Sequence, residues 1–246
     1  MTDVLVYGAL GRMGSIVVNL VEQAEDLRLA AGVDVYSKGG AVAGSLDQVE
    51  EHVDTVIDFS HHTLTPGLLD WCVSRGASLV LCTTGHDEAE LAAVRQAAER
   101  IPLFFSANMS LGIAALAELA RQAAALFPEA DVEIVEAHHN RKLDAPSGTA
   151  LMLAREVCRV RPGAKLHVGR SGLGRREPNE IGIQSVRMGN LPGTHAVLIS
   201  TDTQTITLKH EAHDRALFAD GAVAAARFLA GRGPGLYDMK DLVAGK

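Results

Sequence analysis

Aromatic residues make up only 4% of this 246-residue sequence, with a single tryptophan, so its core has to rest on Ala, Val, Leu and Ile. Cysteine is scarce too. Cys72, Cys82 and Cys158 are odd in number and far apart, with no CxxC. That excludes a disulfide scaffold and a zinc ribbon and fits a reducing, cytoplasmic setting. No apolar run approaches the ~18 residues of a membrane helix. No basic residue precedes the apolar segment that begins at Val4, so neither a signal peptide nor a membrane partner is expected. Positive charge is in deficit: 23 Lys and Arg against 30 Asp and Glu leave a formal charge of −7, which argues against a nucleic-acid partner. In so acidic a chain any local cluster of cations carries information. The remainder, 47% hydrophobic and 22% charged, is long enough for one large α/β domain or two modest ones.

Short apolar runs alternate with helical patterns through the first hundred residues. Strands are expected at 4–7, 29–34, 55–59, 79–82 and 103–105. Helices are expected after the first glycines (Ile16, Val17, Leu20, Val21), near 63–75 and near 87–100. This alternation predicts an α/β fold, a Rossmann-type doubly wound parallel sheet. After Asn108 the texture changes to helices near 111–126 and 147–160, with strands near 132–137, 181–188, 196–201 and 205–210. Ile206 and Leu208 alternate with Thr205, Thr207 and Lys209, the period of a half-exposed antiparallel strand. A second α+β domain with a mixed sheet is the reading. Residues 163–180 are expected to be a long loop, and a last helix near 215–230 precedes a short tail.

The segment Gly8-Ala9-Leu10-Gly11-Arg12-Met13-Gly14 lies between the first strand and the first helix. Glycines there permit a tight turn and close approach to a pyrophosphate at the helix start. The GxxGxxG spacing differs from GxGxxG and alone fits a plain strand-to-helix turn equally well. Asp34 adds to it, ending the second strand 20 positions after Gly14, where a carboxylate can accept from ribose hydroxyls. Phe59-Ser60 and Cys82-Thr83-Thr84 close further strands at the carboxyl edge of the sheet, where ligands of such sheets bind. His61-His62 has no acidic or cysteine neighbour at ligand spacing, so no metal is expected.

The stretch Glu136-Ala137-His138-His139-Asn140-Arg141-Lys142-Leu143-Asp144-Ala145-Pro146-Ser147-Gly148-Thr149-Ala150 follows a strand and opens a helix. Four cationic or potentially cationic side chains fall within five positions. Such crowding costs electrostatic energy unless an anion is bound. Ser147, Gly148 and Thr149 begin the helix, where free N–H groups and outward hydroxyls suit a carboxylate. Together they suggest a small substrate with two carboxylates.

Glu-Ala-His-His-x-x-Lys-x-Asp-Ala-Pro-Ser-Gly-Thr-Ala resembles the signature of the 4-hydroxy-tetrahydrodipicolinate (dihydrodipicolinate) reductase family. The Gly-Arg-Met-Gly ending of the first turn, Thr83-Thr84-Gly85, Ala107-Asn108 and Gly235-Leu236-Tyr237-Asp238-Met239 are similar to family segments, so the likeness spans nearly the whole chain. The resemblance implies reduction of a cyclic dicarboxylate in the diaminopimelate–lysine pathway with NADH, NADPH or both, and no metal. It makes His138 the proton donor and Lys142 a second essential cation, with His139, Gly148 and Thr149 holding the substrate carboxylates; Ser147 joins the substrate-binding set from the helix-start reading. Ala107, Asn108 and the adjoining Met109 fall on the cofactor side. It further implies a discontinuous dinucleotide domain (1–108 and 213–246), a substrate and oligomerisation domain (109–212), a hinge near 108 and 213, and a homotetramer. An uncovered second sheet would also call for such pairing.

Two departures stand out. Cys82 replaces a frequent family glycine, and no Arg follows Asp34 to meet the 2′-phosphate of NADPH, leaving Lys38 as the alternative cation. Other two-domain Rossmann dehydrogenases, of the aspartate or homoserine type, would share the nucleotide end but not the His-His-x-x-Lys motif. A non-catalytic nucleotide sensor would not need the two acids.

Overall fold

The computed structural model describes residues 1–245. In chain order the elements are β1 (Thr2–Tyr7), α1 (Arg12–Gln23), β2 (Leu27–Val33), β3 (Val42–Ala43), β4 (Thr55–Asp58), α2 (Thr65–Arg75), β5 (Ser78–Leu81), α3 (Glu88–Ala98), β6 (Pro102–Phe105), α4 (Leu111–Leu126), β7 (Asp131–His138), α5 (Gly148–Cys158), β8 (Lys165–Val168), β9 (Glu180–Arg187), β10 (Gly193–Ser200), β11 (Thr205–Ala212), α6 (Ala216–Leu229), β12 (Gly235–Tyr237) and α7 (Met239–Ala244). They fall into two compact units, residues 1–111 with 216–245 and residues 112–215.

The first unit carries a seven-stranded sheet in the order β12-β6-β5-β4-β1-β2-β3, every neighbouring pair parallel. Strands covered on both faces read as continuous apolar runs, and Val4, Leu5, Val6 and Tyr7 are all buried. Strand order 3-2-1-4-5-6 is that of a dinucleotide-binding sheet. Helix α3 starts from a reciprocal capping box between Asp87 and Glu90, and α2 ends on Gly76 at φ +67°, a left-handed position suited to glycine. Helix α6 packs against α1 and the central strands. Its Gly221 lies so close to the Met109 carbonyl that a Cβ would stand 1.7 Å from that oxygen.

The second unit carries a mixed five-stranded sheet, β11-β10-β7-β9-β8, with β10 antiparallel to β11 and β7, and β9 parallel to β7 and β8. Ile113, Leu116 and Ala120 of α4 and Leu153 and Val157 of α5 cover one face, packed on Val132, Ile134, Ile181, Ile183, Val197 and Ile199. On the other face Val135, Ala137, Ala196 and Leu198 remain half-buried.

Three short strands depart from the sequence-based expectation. The 163–180 loop contains β8, so this sheet has five strands rather than about four; all its residues are exposed, which erases any buried periodicity. Strands β3 and β12, of two and three residues, are too short to show a pattern. The tail also holds α7, opened by an Asp238–Asp241 capping box.

Candidate functional site

In the first unit the chain leaves β1 through Gly8 at φ +84°, and Gly8 and Ala9 both donate to the Val33 carbonyl, at 2.8 and 3.1 Å. A Cβ on Gly8 would lie 2.8 Å from the Phe59 carbonyl, and one on Gly14 only 2.0 Å from the Gly8 carbonyl. The turn therefore excludes side chains at these positions. Helix α1 starts at Arg12 behind Gly11 with no side-chain cap and no acidic residue in its first turn. Uncapped amides at a helix start beside a side-chain-free turn fit a pyrophosphate.

Asp34 is buried rather than free at the strand end: Oδ2 accepts from the Leu10 N–H at 3.0 Å and Oδ1 from the Tyr36 N–H at 2.9 Å. It thus ties the glycine turn to the end of β2, while Leu10, Arg12 and Lys38 are exposed and Met13 half-buried. At the neighbouring edge, Asp58, which the sequence reading passed over, is fully buried. Its oxygens accept from the Ser60 N–H at 2.9 Å and the Thr83 hydroxyl at 2.6 Å. Burial pushes its pKa up, against those hydrogen bonds. Cys82 turns inward, its thiol 3.9 Å from the Val80 carbonyl and raised in pKa by burial, so the departure from glycine is absorbed inside the sheet. Thr84 and Ala107 are exposed, Met109 is buried, and Asn108 Oδ1 accepts from the Ser110 N–H at 2.9 Å. His61 pairs with Thr63 and His62 with Glu90; among the described residues no group of three or more His, Cys, Asp or Glu could hold a metal.

The second unit builds its site at the end of β7. Alternation puts Ile134, Glu136 and His138 on one face, and the sheet register sets Ser185 and His195 beside Glu136 and Arg187 beside His138. Glu136 is fully buried. Arg187 donates to both of its oxygens at 2.8 and 2.9 Å, and the Ser147 N–H donates to Oε1 at 3.1 Å. Burial would raise this carboxyl's pKa, but hydrogen bonds from Arg187, Ser185, His138 and Ser147 outweigh it and pull the value down to about 2. An ionised carboxylate only accepts, so His138 Nδ1, 2.6 Å from Oε2, must be the donor. That leaves Nε2 as the nitrogen able to give or take a proton. Gly193 keeps it accessible, since a Cβ there would sit 2.9 Å from His138 Nε2.

His195 stacks edge-on against His138, ring centroids 5.1 Å apart, and its pKa is lowered to about 4 by burial and then by the His138 charge. Its Nε2 lies 3.1 Å from the Ser147 hydroxyl, which also accepts from the Ala150 N–H as the cap of α5. Ser147 therefore faces inward, not outward as the motif suggested, because it serves as both cap and buried partner. Gly148 is exposed and Thr149 half-buried at the same helix start. Lys142 Nζ pairs with Asp144 Oδ1 at 2.8 Å, and Arg141 donates to Asn190 Oδ1 at 2.5 Å. The His139 pKa is lowered by desolvation, then by the surrounding Arg141, Arg215, His138 and Lys142. Glu136, Arg187, Gly193 and His195 were the residues missed; only Glu136 left a signal, two positions before His138 on one strand face.

The parallel sheet with its glycine turn and the histidine–carboxylate site on a second sheet define a two-unit oxidoreductase with a Rossmann-type nucleotide-binding domain. Residues 2–109 match the family model for the dihydrodipicolinate reductase N-terminus and residues 112–243 that for its C-terminus, and the chain belongs to this family. It is 43% identical over 247 residues to the 4-hydroxy-tetrahydrodipicolinate reductase of Caldanaerobacter subterraneus subsp. tengcongensis, covering 99% of this chain and 98% of the relative. The enzyme of that name from an Anaeromyxobacter species is 41% identical, covering 99% of this chain and 98% of the relative. Among solved structures, a dipicolinate-bound dihydrodipicolinate reductase from Paenisporosarcina sp. TG-14 superposes with a TM-score of 0.82 at 26% identity, covering 97% of each chain.

Proposed function

We propose that the chain reduces 4-hydroxy-tetrahydrodipicolinate to tetrahydrodipicolinate with NADH or NADPH, in the diaminopimelate–lysine pathway. The observation that carries the reading is the Glu136–His138 pair at 2.6 Å beside the start of α5, in a chain of this family. Reduced nicotinamide supplies the hydride to substrate C4 when bound. The Gly8–Gly14 turn, the α1 amides and the β2, β4 and β5 ends would hold the dinucleotide, with Asp34 near the ribose. Lys142, His139, Gly148 and Thr149 offer cations and helix-start groups to the two substrate carboxylates. The 4-hydroxyl leaves as water to give the conjugated imine. Hydride addition at its C4 leaves carbanion character that must be protonated, and His138 presents Nε2 for it, with Glu136 fixing the ring and Lys142 as the second cationic acid. The first unit is read as the nucleotide domain and the second as the substrate and assembly domain, with a hinge near 108 and 213 for closure.

The test is a coupled assay: substrate made enzymatically from pyruvate and aspartate semialdehyde, with nicotinamide oxidation followed at 340 nm. Turnover dependent on that substrate is the expected result. No oxidation above background, with a cofactor that demonstrably binds, would rule the reading out. The half-buried Val135, Ala137, Ala196 and Leu198 face supports a homotetramer joined through the second unit, working in the cytoplasm. Light scattering should then give four times the 26.0 kDa chain mass.

A further inference from the structure

We propose that Asp144 is a built-in placeholder anion, whose carboxylate holds Lys142 in the free enzyme and is displaced when a substrate carboxylate arrives. The inference rests on the reading above, in which Lys142 and the start of α5 hold that carboxylate.

Lys142 acts on His139 together with Arg141, Arg215 and His138, and the His139 pKa is lowered first by desolvation and then by these positive charges. An ammonium there needs a counter-charge whenever no substrate is bound. Glu136 does not supply it, being saturated by Arg187, His138 and Ser147. Asp144 supplies it, with Oδ1 2.8 Å from Lys142 Nζ. The Gly148 N–H also acts on this carboxylate, lowering its pKa after the larger effect of Lys142. One aspartate therefore engages both a cation and a helix-start amide proposed for the ligand.

The Asp144 anchorage suits release. Its backbone carbonyl is fixed by Arg187 Nη2 at 2.6 Å, while its side chain is 57% exposed. Lys142, at 23% exposure, is the more enclosed partner. Rotation about the Asp144 side-chain bonds can carry the carboxylate into water without moving the loop. Lys142 then keeps its place and exchanges one carboxylate for another. Exposed ion pairs are weak, so a ligand with two carboxylates can win this exchange. Asp144 is thus a positioning residue: it prevents a bare ammonium from collapsing elsewhere, at some cost in ligand affinity.

The test is calorimetric titration of dipicolinate into the full-length enzyme saturated with NADH, using wild type, Asp144→Asn, Lys142→Ala and the double variant. Asp144→Asn removes the competitor and should tighten dipicolinate binding by roughly 3–10-fold, from one exposed ion pair plus relief of like-charge repulsion. In the Lys142→Ala background the same change should be under about twofold, a coupling that simple loop loosening would not produce. Asp144→Ser serves as a second variant should the amide form a new hydrogen bond, and should also tighten binding. Unchanged or weaker binding in both Asp144 variants, with binding still dependent on Lys142, would overturn the placeholder and leave the carboxylate site intact. Binding indifferent to Lys142→Ala would instead remove that site, and the placeholder with it.

Discussion

Arg187 meets Glu136 fork to fork, Nη1 to Oε2 at 2.9 Å and Nη2 to Oε1 at 2.8 Å, across the parallel pair β7–β9. The same guanidinium donates to the Asp144 carbonyl at 2.6 Å, so one side chain ties β7, its neighbour β9 and the motif loop together. Two parallel bonds also fix the rotation of the carboxylate, which in turn fixes the His138 ring. Geometry at His138 is thus inherited from Arg187, a residue 51 positions along the chain from Glu136.

Removing one partner of such a pair strands a buried charge. Arg187→Met is expected to destabilise the protein by about 3–5 kcal/mol, and Arg187→Lys less, because the charge survives without the fork. Urea unfolding of both variants checks this. A loss below about 1 kcal/mol for Arg187→Met would mean the pair does not hold β7 to β9.

His138→Gln is expected to lower kcat by about 10²–10⁴ while leaving nicotinamide affinity unchanged. Lys142→Ala should damage both substrate KM and kcat, since in the proposed function its cation both binds and polarises. Steady-state kinetics with each reactant varied separates these effects; wild-type kcat in His138→Gln would reassign the acid.

Asp34→Ala acts twice. In the proposed function the Asp34 carboxylate would repel a 2′-phosphate, so its removal should shift the preference toward NADPH. It also leaves the Leu10 and Tyr36 amides without their acceptor, so NADH affinity should fall as the turn loosens. The ratio of kcat/KM for the two cofactors, wild type against variant, reads both. In the wild type NADH is expected to serve at least as well as NADPH, and an unchanged ratio in the variant would place ribose recognition elsewhere.

Acid should weaken the fold in two stages. His195 titrates near 4 instead of about 6.5, so between those values the unfolded chain binds more protons and stability falls as the pH drops. Glu136, held near 2 against an ordinary 4.5, contributes stability fully above 4.5 that is lost as the pH falls toward 2. Each shift corresponds to about 3 kcal/mol. His86, His139 and His210, also depressed with burial as the largest cause, act in the same direction as His195. Urea midpoints at pH 7, 5.5 and 4.5 should therefore decline less steeply in His195→Gln. An equal slope would show that His195 is not the source.

Much of this was legible in the sequence because it is local. Val4–Tyr7 followed by spaced glycines is a strand and turn wherever it occurs, and the motif from Glu136 to Ala150 announces a strand end, a cation loop and a helix start. What escaped depends on distant parts of the chain. His195 and Arg187 come beside Glu136 and His138 through the β10–β7–β9 register, which no local pattern states. Ser147 looked outward because its buried partner, His195, lies 48 positions away. Asp58 was passed over because its partner Thr83 belongs to the next crossover. Strand β8 has no buried face, and so offered no alternation to find.

The second unit is one continuous stretch of chain inserted into the first, whose α6 and β12 come after it. A ribosome therefore delivers every strand of the five-stranded sheet before it delivers the helix that covers α1 and the central strands of the other. Arg227 of α6 reaches back to Asp26, 201 positions earlier, with both nitrogen–oxygen distances at 2.8 Å. During synthesis the nucleotide unit waits half-covered, with β6 as an open edge, for as long as the inserted unit takes to be made. A nascent chain stalled after residue 215 would hold a finished second unit while an apolar surface of the first unit stays open. Chaperone demand should concentrate in that interval, and a circular permutant that joins the two pieces of the nucleotide unit in sequence should shorten it.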